Sequence, residues 1–394
     1  MARFPARSLL ITAAALALAG GCTAPVAAQG HAEAPRGAPV APAAAAPAAT
    51  PATGTPSARP DPAPTRLWPF KRIFNADYVD VRDIARRYGL RAVWATSGRA
   101  MNLVDARGRV RLRFVDRDRD FLFDGVRIFM GDTTVFSRDS LCVGRIDVIK
   151  TIAPLLRPAD YAGQLPAPPR LIVLDPGHGG NDPGNQNASL HLDEKAMTLD
   201  VARRLGRLLE ARGYRVLFTR SDDRRVELEQ RPEIAGRARA DLFLSIHFNA
   251  LPSASAARVS GTETYVLTPQ FQPSTQPEKD KTMIPVAFPG NRDDTVNALL
   301  GYHLHRRLLA ELKSSDRGFK RARWVVLRFA ECPAALIEAA FLSNNVEARR
   351  VGTADFREQI AAAIADGVDD YAAALTALRT PAGPAPAGAP PAGR

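Results

Sequence analysis

The sequence predicts an α/β fold, with a mostly parallel twisted sheet flanked by helices in the C-terminal part and a small α+β domain before it. In the C-terminal part, apolar runs such as "RLIVLD", "DLFLSIH" and "AALIEAA" alternate with helical stretches at 194–212, 226–240, 296–312 and 355–378. Further strands are expected in "YRVLFTR", "GTETYVL" and "RWVVLRF". Strands that alternate with helices in this way are typical of a parallel sheet.

The N-terminal residues are typical of an export signal. Residues 1–28 carry Arg3 and Arg7 before an apolar stretch that is too short to span a membrane. Two processing alternatives remain: "LAGGC" ends at Cys22 and resembles a lipobox, whose Cys would be lipidated, whereas "VAA" fits ordinary cleavage before Gln29. In either case we expect an exported protein of the periplasm or cell envelope, which contacts a membrane only through a lipid anchor at Cys22.

Two segments have a composition that does not support folding. Residues 29–66 and 379–394 are dominated by Ala and Pro. Such segments bury too little apolar surface to fold, and their prolines favour an extended spacer. We therefore predict a disordered linker at 29–66 and a disordered tail at 379–394.

Residues 67–160 are predicted to form the small α+β domain, and 161–169 a linker to the next domain. "YVDVRDIARRYGL" predicts a strand followed by a helix, whereas "RVRLRFV", "FLFDGVRIFM" and "TVFSRDSLCVG" alternate like half-buried antiparallel strands. The succession "VDVRDIARRYG", "FDGVRIFMG" and "IAPLLRP" loosely resembles the copper-amine-oxidase N-domain-like module. The segment contains no His, so this resemblance implies no copper here.

The formal charge of +12 at pH 7 indicates anionic neighbours, such as the anionic polymers of a cell envelope. The same charge also fits a chain that is simply rich in Arg. Nucleic acid is not expected as a partner, because the chain has no recognisable binding motif and is predicted to be exported. Cys142 and Cys332 lie in apolar runs of different predicted domains, which favours two buried thiols over a disulfide.

Three chemically active side chains follow apolar strands of the predicted sheet. His178 comes after the strand in "LIVLDPGHGG", His247 ends "DLFLSIH" and Glu338 ends "AALIE". Because ligands bind outside the carboxyl ends of parallel strands, we expect these side chains at one edge of the sheet. Glycines on both sides of His178 let the backbone turn sharply, so that the imidazole faces inward. Glu194 begins the first long helix, after a loop that can fold back over this edge.

Two His and one Glu are a typical set of ligands for catalytic zinc, with a fourth position left for water. Bound zinc acidifies that water and polarises a carbonyl group. A second carboxylate, not bound to the metal, would take the proton of the water and pass it to a leaving amine. Glu338 suits this second role, because burial within "LIE" would raise its pKa towards the working range.

Residues 170–378 resemble the zinc-dependent N-acetylmuramoyl-L-alanine amidases of the Amidase_3 type. The resemblance is carried by "LDPGHGGNDPG", "DEKAMTLDVARRLGRLLEARGYRVLFTRSDD", "ADLFLSIHFNA" and "PAALIEAAFLSNNVEA". It implies Zn²⁺ held by His178, Glu194 and His247, with Glu338 as the catalytic acid and base. It also implies cleavage of the amide between the lactyl group of N-acetylmuramic acid and the L-Ala of the stem peptide. The sheet is expected to be phosphorylase/hydrolase-like.

Residues near these positions have alternative roles. Asp193 fits a helix N-cap better than a ligand. Arg220 and Arg231 match family positions, and either meet substrate or pair with carboxylates as structural residues. Asn249 is expected to shape the backbone of the site. Three further histidines are expected on exposed surfaces: His191, His303 and His305.

Two features depart from the family pattern. Ala340 stands where the family often has Gly, so that one extra methyl group in a tight turn is expected to shift Glu338 slightly. Residues 269–291 are a Pro-rich insertion between a strand and the next helix. We expect an irregular loop there, which lines or covers the groove and gates substrate access.

These observations predict a peptidoglycan amidase that the small domain positions on its substrate, with a protein activator as a further candidate partner. One alternative is a zinc carboxypeptidase or endopeptidase acting elsewhere on wall peptides, which would leave L-Ala on the sugar. Another is a catalytically silent module that binds the wall without cutting it. The presence of all the candidate ligands together with Glu338 favours an enzyme over the silent module.

Overall fold

An eleven-stranded mixed sheet forms the centre of the computed structural model, which describes residues 68–256, 258–275 and 283–379. These residues belong to one compact unit, Pro60–Arg394. No helix within the described part of the chain is long and apolar enough to cross a membrane.

The predicted terminal segments lie outside the described residues. This holds for the signal peptide at 1–28, the linker at 29–66 and the tail at 379–394, apart from Arg379. The export signal, the lipid anchor at Cys22 and the predicted disorder therefore stay predictions.

The strands, in chain order, are β1 (Lys71–Ile73), β2 (Ala76–Asp80), β3 (Arg91–Thr96), β4 (Ala100–Val104), β5 (Val110–Val115), β6 (Asp120–Phe123), β7 (Val126–Phe129), β8 (Val135–Ser137), β9 (Ser140–Gly144), β10 (Leu171–Pro176), β11 (Gln186–Asn187), β12 (Leu192–Asp193), β13 (Arg215–Phe218), β14 (Leu242–Asn249), β15 (Thr262–Leu267), β16 (Asp316–Ala322) and β17 (Ala334–Phe341). The α-helices are α1 (Val81–Arg87), α2 (Arg145–Asp147), α3 (Ala153–Leu156), α4 (Glu194–Ala211), α5 (Gln230–Ala238), α6 (Ser253–Ala256), α7 (Asp294–Leu312), α8 (Val325–Arg328), α9 (Asn345–Val351) and α10 (Ala354–Arg379). A π-helical turn (Val148–Ile152) joins α2 to α3, and 3-10 turns lie at Pro158–Gln164, Ala188–Leu190 and Pro289–Asp293.

The large sheet has the strand order β13-β10-β14-β17-β15-β16-β7-β6-β5-β4-β3. β10 is parallel to β13 and β14, and β14 is parallel to β17. β15 is parallel to β16 but antiparallel to β17, and the strands from β7 to β3 are antiparallel. A separate sheet of order β1-β2-β9-β8 is formed in the first part of the chain. The predicted α/β class, with a mostly parallel C-terminal sheet preceded by a small α+β part, is confirmed.

Both faces of the parallel strands are covered, as a buried parallel sheet requires. Every residue of β10 is buried. Helix α4 packs on β10, α7 packs on β15, and α10 packs against both helices, in an apolar cluster that includes Leu205, Leu304 and Ile364. A smaller cluster around Phe243 and Leu336 covers the opposite face and borders the groove. The four predicted helices correspond to α4, α5, α7 and α10.

One predicted strand is wrong. "RWVVLRF" contains the short helix α8, and the neighbouring strand of the sheet is β16, with the sequence "DRGFKRA". A short apolar run does not distinguish a strand from a buried helix. β16 lacks the apolar run by which strands were predicted, because its buried residues include two cations. Lys320 pairs with Glu263 at 2.7 Å, and Arg321 donates to Thr151.

The two predicted domains share one sheet and one apolar core. β7 of the first pairs with β16 of the second, with Ile128 beside Phe319. The ring of Phe123 meets Tyr302 edge-on, with 5.0 Å between centroids. The predicted linker at 161–169 begins inside a 3-10 turn. The packing therefore continues across this predicted linker. Pairing of β7 with β16 covers a sheet edge that each half would otherwise expose.

Cys142 and Cys332 are free and buried, as predicted. Burial raises the pKa of both thiols, that of Cys332 to about 12. Both thiols are therefore protonated and unreactive at neutral pH.

Removing the Phe123 side chain tests whether the two halves unfold together. We expect Phe123→Ala to lower the free energy of unfolding by about 3–5 kcal/mol, because it leaves a cavity beside Tyr302. Trp68 and Trp94 report on the first half and Trp324 on the second, and their fluorescence in urea should show one transition that shifts as a whole. The control, Phe74→Ala, removes a ring that is 86% exposed and should shift the transition little. Two transitions, of which only one moves, would contradict a shared core.

Candidate active site

His178 lies just after β10, in a sharp turn. Its φ of 61° is in the left-handed region, which residues other than Gly rarely adopt. The guanidinium of Arg231 holds this turn by donating to the His178 carbonyl at 2.9 Å. His178 Nδ1 lies 2.9 Å from Asp182 Oδ2. This contact fixes the ring so that Nε2 faces Glu194 Oε2 at 3.1 Å.

Glu194 is the first residue of α4, and its side chain is only 1% exposed. Oε2 accepts the backbone N–H of Asn185 at 2.8 Å, and Oε1 accepts that of Phe248 at 3.0 Å. The carboxylate also contacts His178 Nε2 and, at 2.9 Å, His247 Nδ1. Burial alone would raise the pKa of Glu194, but hydrogen bonds to the two imidazoles outweigh it and hold the pKa well below its ordinary value. An ionised carboxylate therefore lies between two imidazoles.

His247 completes this cluster from β14. Its ring meets that of His178 edge-on, with 5.0 Å between centroids. One nitrogen or oxygen atom from each of His178, Glu194 and His247 lies within 4.8 Å of the others. The structure thus brings together the three side chains that the sequence resemblance selected, from β14, the start of α4 and the turn after β10.

The donors and the space around them fit a zinc ion. Imidazole nitrogens and a carboxylate oxygen are donors that zinc prefers, and three protein ligands leave a position open for substrate or water. Two glycines give the cluster its room. A Cβ on Gly177 would lie 2.2 Å from His247 Cε1, and one on Gly184 would lie 2.6 Å from His178 Cδ2 and 2.7 Å from Glu194 Oε2. Any larger residue would displace a candidate ligand.

Glu338 lies on β17, directly opposite His247 in the parallel register with β14. Its Oε2 is buried and has no hydrogen-bond partner among the described residues. Burial raises the pKa of Glu338 well above its ordinary value, and the negative charges of Glu194 and Glu263 raise it further. A carboxyl group with a free oxygen thus lines the same groove as the His–Glu–His cluster. Such a group can take up and return a proton.

Arg220 and Arg231 are buried and hold the turn that carries His178. The Arg220 guanidinium donates to the carbonyls of Pro176, Gly177 and Lys195. Arg231 forms a buried ion pair with Asp175 at 2.8 Å, besides its bond to the His178 carbonyl. Arg220 is fully buried and cannot touch a substrate, whereas Arg231 also lines the groove.

Asn249 and Asp193 lie beside the cluster. Asn249 ends β14, where the register with β17 shifts, and its Nδ2 donates to Glu263 Oε2 at 3.0 Å. Glu263 is opposite Glu338 in the antiparallel pairing of β15 and β17. Asn249 therefore hydrogen-bonds to the residue that pairs with Glu338. Asp193 is the N-cap residue of α4, as predicted, but its side chain makes no capping hydrogen bond.

The prediction that His303 and His305 are exposed is wrong. His305 is fully buried in α7, with Nδ1 3.1 Å from Thr264 Oγ1 and Nε2 3.0 Å from Asp316 Oδ1. His303 is half-buried, and burial lowers its pKa to about 4. The reason is tertiary: α7 packs against both the sheet and α10, which leaves it little exposed surface. His191 is exposed, as predicted.

Three residues that orient the cluster were not singled out from the sequence. Asp182 fixes the ring of His178, Asn185 donates its backbone N–H to Glu194, and Asp175 accepts hydrogen bonds from side chains on both neighbouring segments. The side chains that donate to Asp175 are those of Thr219, with Oγ1 at 2.6 Å, and Ser245, with Oγ at 2.7 Å. A signal for the two Asp residues exists: "DPG" occurs twice in "DPGHGGNDPG".

A groove of about 810 Å³ opens over the cluster. Its polar residues include His178, Glu194, His247 and Glu338, and an apolar wall includes Leu228, Trp324, Val326 and Leu336. Ser274 and Met283, from the described parts of the insertion at 269–291, also line it. The insertion therefore borders the groove, and its gating role stays a prediction.

Comparisons with known proteins identify the family to which residues 172–370 are similar. The sequence pattern of the Amidase_3 family, described as N-acetylmuramoyl-L-alanine amidase, matches residues 172–370. The chain is 34% identical over 225 residues to N-acetylmuramoyl-L-alanine amidase AmiA of Escherichia coli K12, covering 51% of this chain and 76% of that protein. It is 37% identical over 222 residues to the amidase AmiC of Neisseria meningitidis serogroup B, covering 51% and 52%. A solved structure, amidase AmiC2 of Nostoc punctiforme, superposes with a TM-score of 0.41 at 29% identity, covering 51% of this chain and 96% of that one.

The buried ion pair beneath the cluster should be essential for stability. We expect Arg231→Met to lower the free energy of unfolding by about 3–5 kcal/mol, because it leaves Asp175 buried without its cation. The measurement is urea unfolding at neutral pH. Arg224→Met is the matched control, since the Arg224 side chain is 59% exposed. Equal stability of the two variants would show that the pair does not hold this part of the fold.

Proposed function

This chain belongs to the Amidase_3 family of N-acetylmuramoyl-L-alanine amidases, and we propose from this premise that it hydrolyses peptidoglycan. The bond cleaved is the amide between the lactyl group of N-acetylmuramic acid and the L-Ala of the stem peptide. One observation carries the proposal: His178, Glu194, His247 and Glu338 line a single groove inside the segment that matches the family.

We propose His178, Glu194 and His247 as the ligands of a zinc ion. Their donor atoms lie within 4.8 Å of one another, and the ionised state of Glu194 suits a cation. When bound, zinc would polarise the scissile carbonyl and acidify the attacking water. Asp182 keeps the His178 ring in place through Nδ1, which leaves Nε2 for the metal.

Glu338 is the proposed proton carrier. In this scheme its carboxylate takes a proton from the water that attacks the lactyl carbonyl, and then gives it to the amine nitrogen of L-Ala as the C–N bond breaks. The raised pKa of Glu338 supports this role, because a carboxyl pKa moved towards the working pH lets one group both take up a proton and return it. Its free Oε2 supports it too, since within the described part of the chain no side chain hydrogen-bonds to that atom.

Arg220, Arg231 and Asn249 are proposed to support the chemistry without taking part in it. The two arginines hold the turn that carries His178, and Asn249 orients Glu263 beside Glu338. Arg231 also lines the groove, so a contact with the glycan or peptide is proposed for it alone of these three.

The cellular setting follows from the substrate. Peptidoglycan lies outside the cytoplasm, so we propose export through residues 1–28, with Cys22 either lipidated or removed with the signal peptide. Residues 67–160 as a positioning domain, a protein activator and anionic envelope polymers stay predictions from the sequence. Absence of the mature chain from the periplasmic and envelope fractions of the host would contradict export.

Product analysis tests the activity and the metal together. We expect the full chain to release free stem peptides beginning with L-Ala from isolated peptidoglycan, detected by mass spectrometry. A chelator should abolish the release and added zinc should restore it. Peptides that leave L-Ala on the sugar would indicate a carboxypeptidase or endopeptidase instead. Binding to the wall without any release would indicate a silent module.

Replacement of the proton carrier separates chemistry from binding. We expect Glu338→Gln to lower the rate of release by roughly 100-fold or more while zinc content is unchanged, because only proton transfer is lost. Glu233→Gln, at an exposed Glu paired with Arg237 outside the groove, is the control. A variant of Glu338 with nearly normal activity would exclude it as the acid and base.

The glycine beside His247 should set the metal affinity. We expect Gly177→Ala to weaken zinc binding by about 10- to 100-fold, because its Cβ would push the His247 ring away. Competition with a chromophoric chelator measures the affinity without any turnover. Gly163→Ala is the control, since no atom lies within 4 Å of a Cβ there. Unchanged affinity in Gly177→Ala would contradict the assigned ligand set.

A further inference from the structure

Residues 268–275, which include the start of the insertion, are anchored through their backbone carbonyl groups. Pro269 and Pro273 have no backbone N–H, so this segment cannot form a regular ladder. Arg323, directly after β16, binds carbonyl groups of this segment from one side. Its Nη2 donates to the carbonyl of Pro269 at 2.9 Å and to that of Gln272 at 2.7 Å. A planar guanidinium can serve several carbonyls at once because it carries five N–H donors.

Arg119 holds the same segment from the other side. It lies between β5 and β6, more than 150 positions away in sequence. Its Nη2 donates to the carbonyls of Pro273 and Ser274, both at 2.8 Å, and its Nε donates to the carbonyl of Gly131 at 2.9 Å. One guanidinium thus joins the N-terminal part of the chain to the insertion.

The N-terminal part also provides a fitted seat for Gln272. This side chain is 1% exposed and packs on Gly131. A Cβ on Gly131 would lie only 2.6 Å from Gln272 Nε2 and 2.9 Å from Gln272 Cβ. The Gly131 backbone is itself held, because its N–H donates to Asp147 at 2.9 Å. A glycine is therefore needed at this position to accept the insertion.

The anchored segment forms part of the groove. Ser274 lines it together with Glu338, and Ser274 is the residue whose carbonyl Arg119 binds. Its Oγ lies 2.7 Å from Thr268 Oγ1, at the other end of the segment. Movement of the Ser274 carbonyl would therefore change the shape of the groove wall without touching the His–Glu–His cluster.

We propose that Arg119 is a positioning residue of the reaction: by clamping residues 272–274 onto Gly131, it sets the wall of the groove that receives the peptidoglycan strand. The inference rests on the proposed function for the identity of the substrate. It gives residues 67–160 a role inside the active site, which differs from the role of a separate binding domain.

The test uses the full chain and a soluble disaccharide–peptide fragment of peptidoglycan. We expect Arg119→Ala to raise KM on the order of tenfold with kcat within about twofold, because a binding wall is disturbed while the catalytic groups are not. Arg119→Lys keeps a cation with a single donor group and should give an intermediate KM. Gly131→Ala disturbs the seat from the opposite side and should raise KM in the same direction.

Arg117→Ala is the matched control. Arg117 lies in the same turn, but its side chain is 92% exposed, with Nε 3.5 Å from Asp116 Oδ2. Thermal unfolding of every variant checks the fold. If Arg119→Ala does not fold, Gly131→Ala decides the outcome.

Hydrogen exchange measures the clamp without turnover. The amides of Gln272 and Thr275, bonded to the carbonyls of Pro269 and Arg321, should exchange faster in Arg119→Ala than in Arg117→Ala. If the wild type releases no L-Ala peptides, the proposed function fails, and these exchange rates still decide whether Arg119 holds the segment. Unchanged exchange, or a KM equal to that of Arg117→Ala in an active enzyme, overturns the inference.

Discussion

The buried carboxylate of Asp175 is the constraint on which the site depends. A charge that is wholly removed from water must be compensated, and here Arg231, Thr219 and Ser245 compensate it. Thr219 directly follows β13, Ser245 lies in the middle of β14 and Arg231 lies in α5, so one side chain ties three neighbouring strands to a helix. Because His178 leaves β10 three residues later in a left-handed turn, the same network determines where its imidazole lies.

The two glutamates of the site have opposite pKa shifts because their surroundings differ. Glu194 accepts two backbone N–H groups and contacts two imidazoles, and these partners hold its pKa low. Glu338 is buried near the negative charges of Glu194 and Glu263, and both the burial and these charges raise its pKa. Environments that push two carboxyl pKa values apart are typical of sites in which one group binds and the other transfers protons.

Continuity of the sheet explains how the first half of the chain can influence this chemistry. β7 pairs with β16, and Arg323, at the end of β16, together with Arg119, before β6, holds the insertion that borders the groove. The contacts that unite the halves are partly charged, as with Arg321 and Thr151. Loss of the Thr151 hydroxyl would cost free energy, because a donor of the buried Arg321 guanidinium would lose its acceptor away from water.

The sequence by itself determined the α/β class, the order of the long helices and the four residues His178, Glu194, His247 and Glu338, because apolar periodicity and short motifs are local properties of the chain. The choice of Glu194 over Asp193 as the metal ligand followed only from the motif spacing of the family that the sequence resembles. Local chemistry alone does not distinguish the two carboxylates. The tertiary structure decided what depends on distant partners. In the tertiary structure, His305 is buried against β15, and "RWVVLRF" contains a short helix next to the charged strand β16. The two predicted domains share one sheet. Local patterns cannot give these outcomes, because a charged residue is expected on the surface until its buried partner is known. Lys320 pairs with Glu263, 57 positions away, and Arg321 with Thr151, 170 positions away.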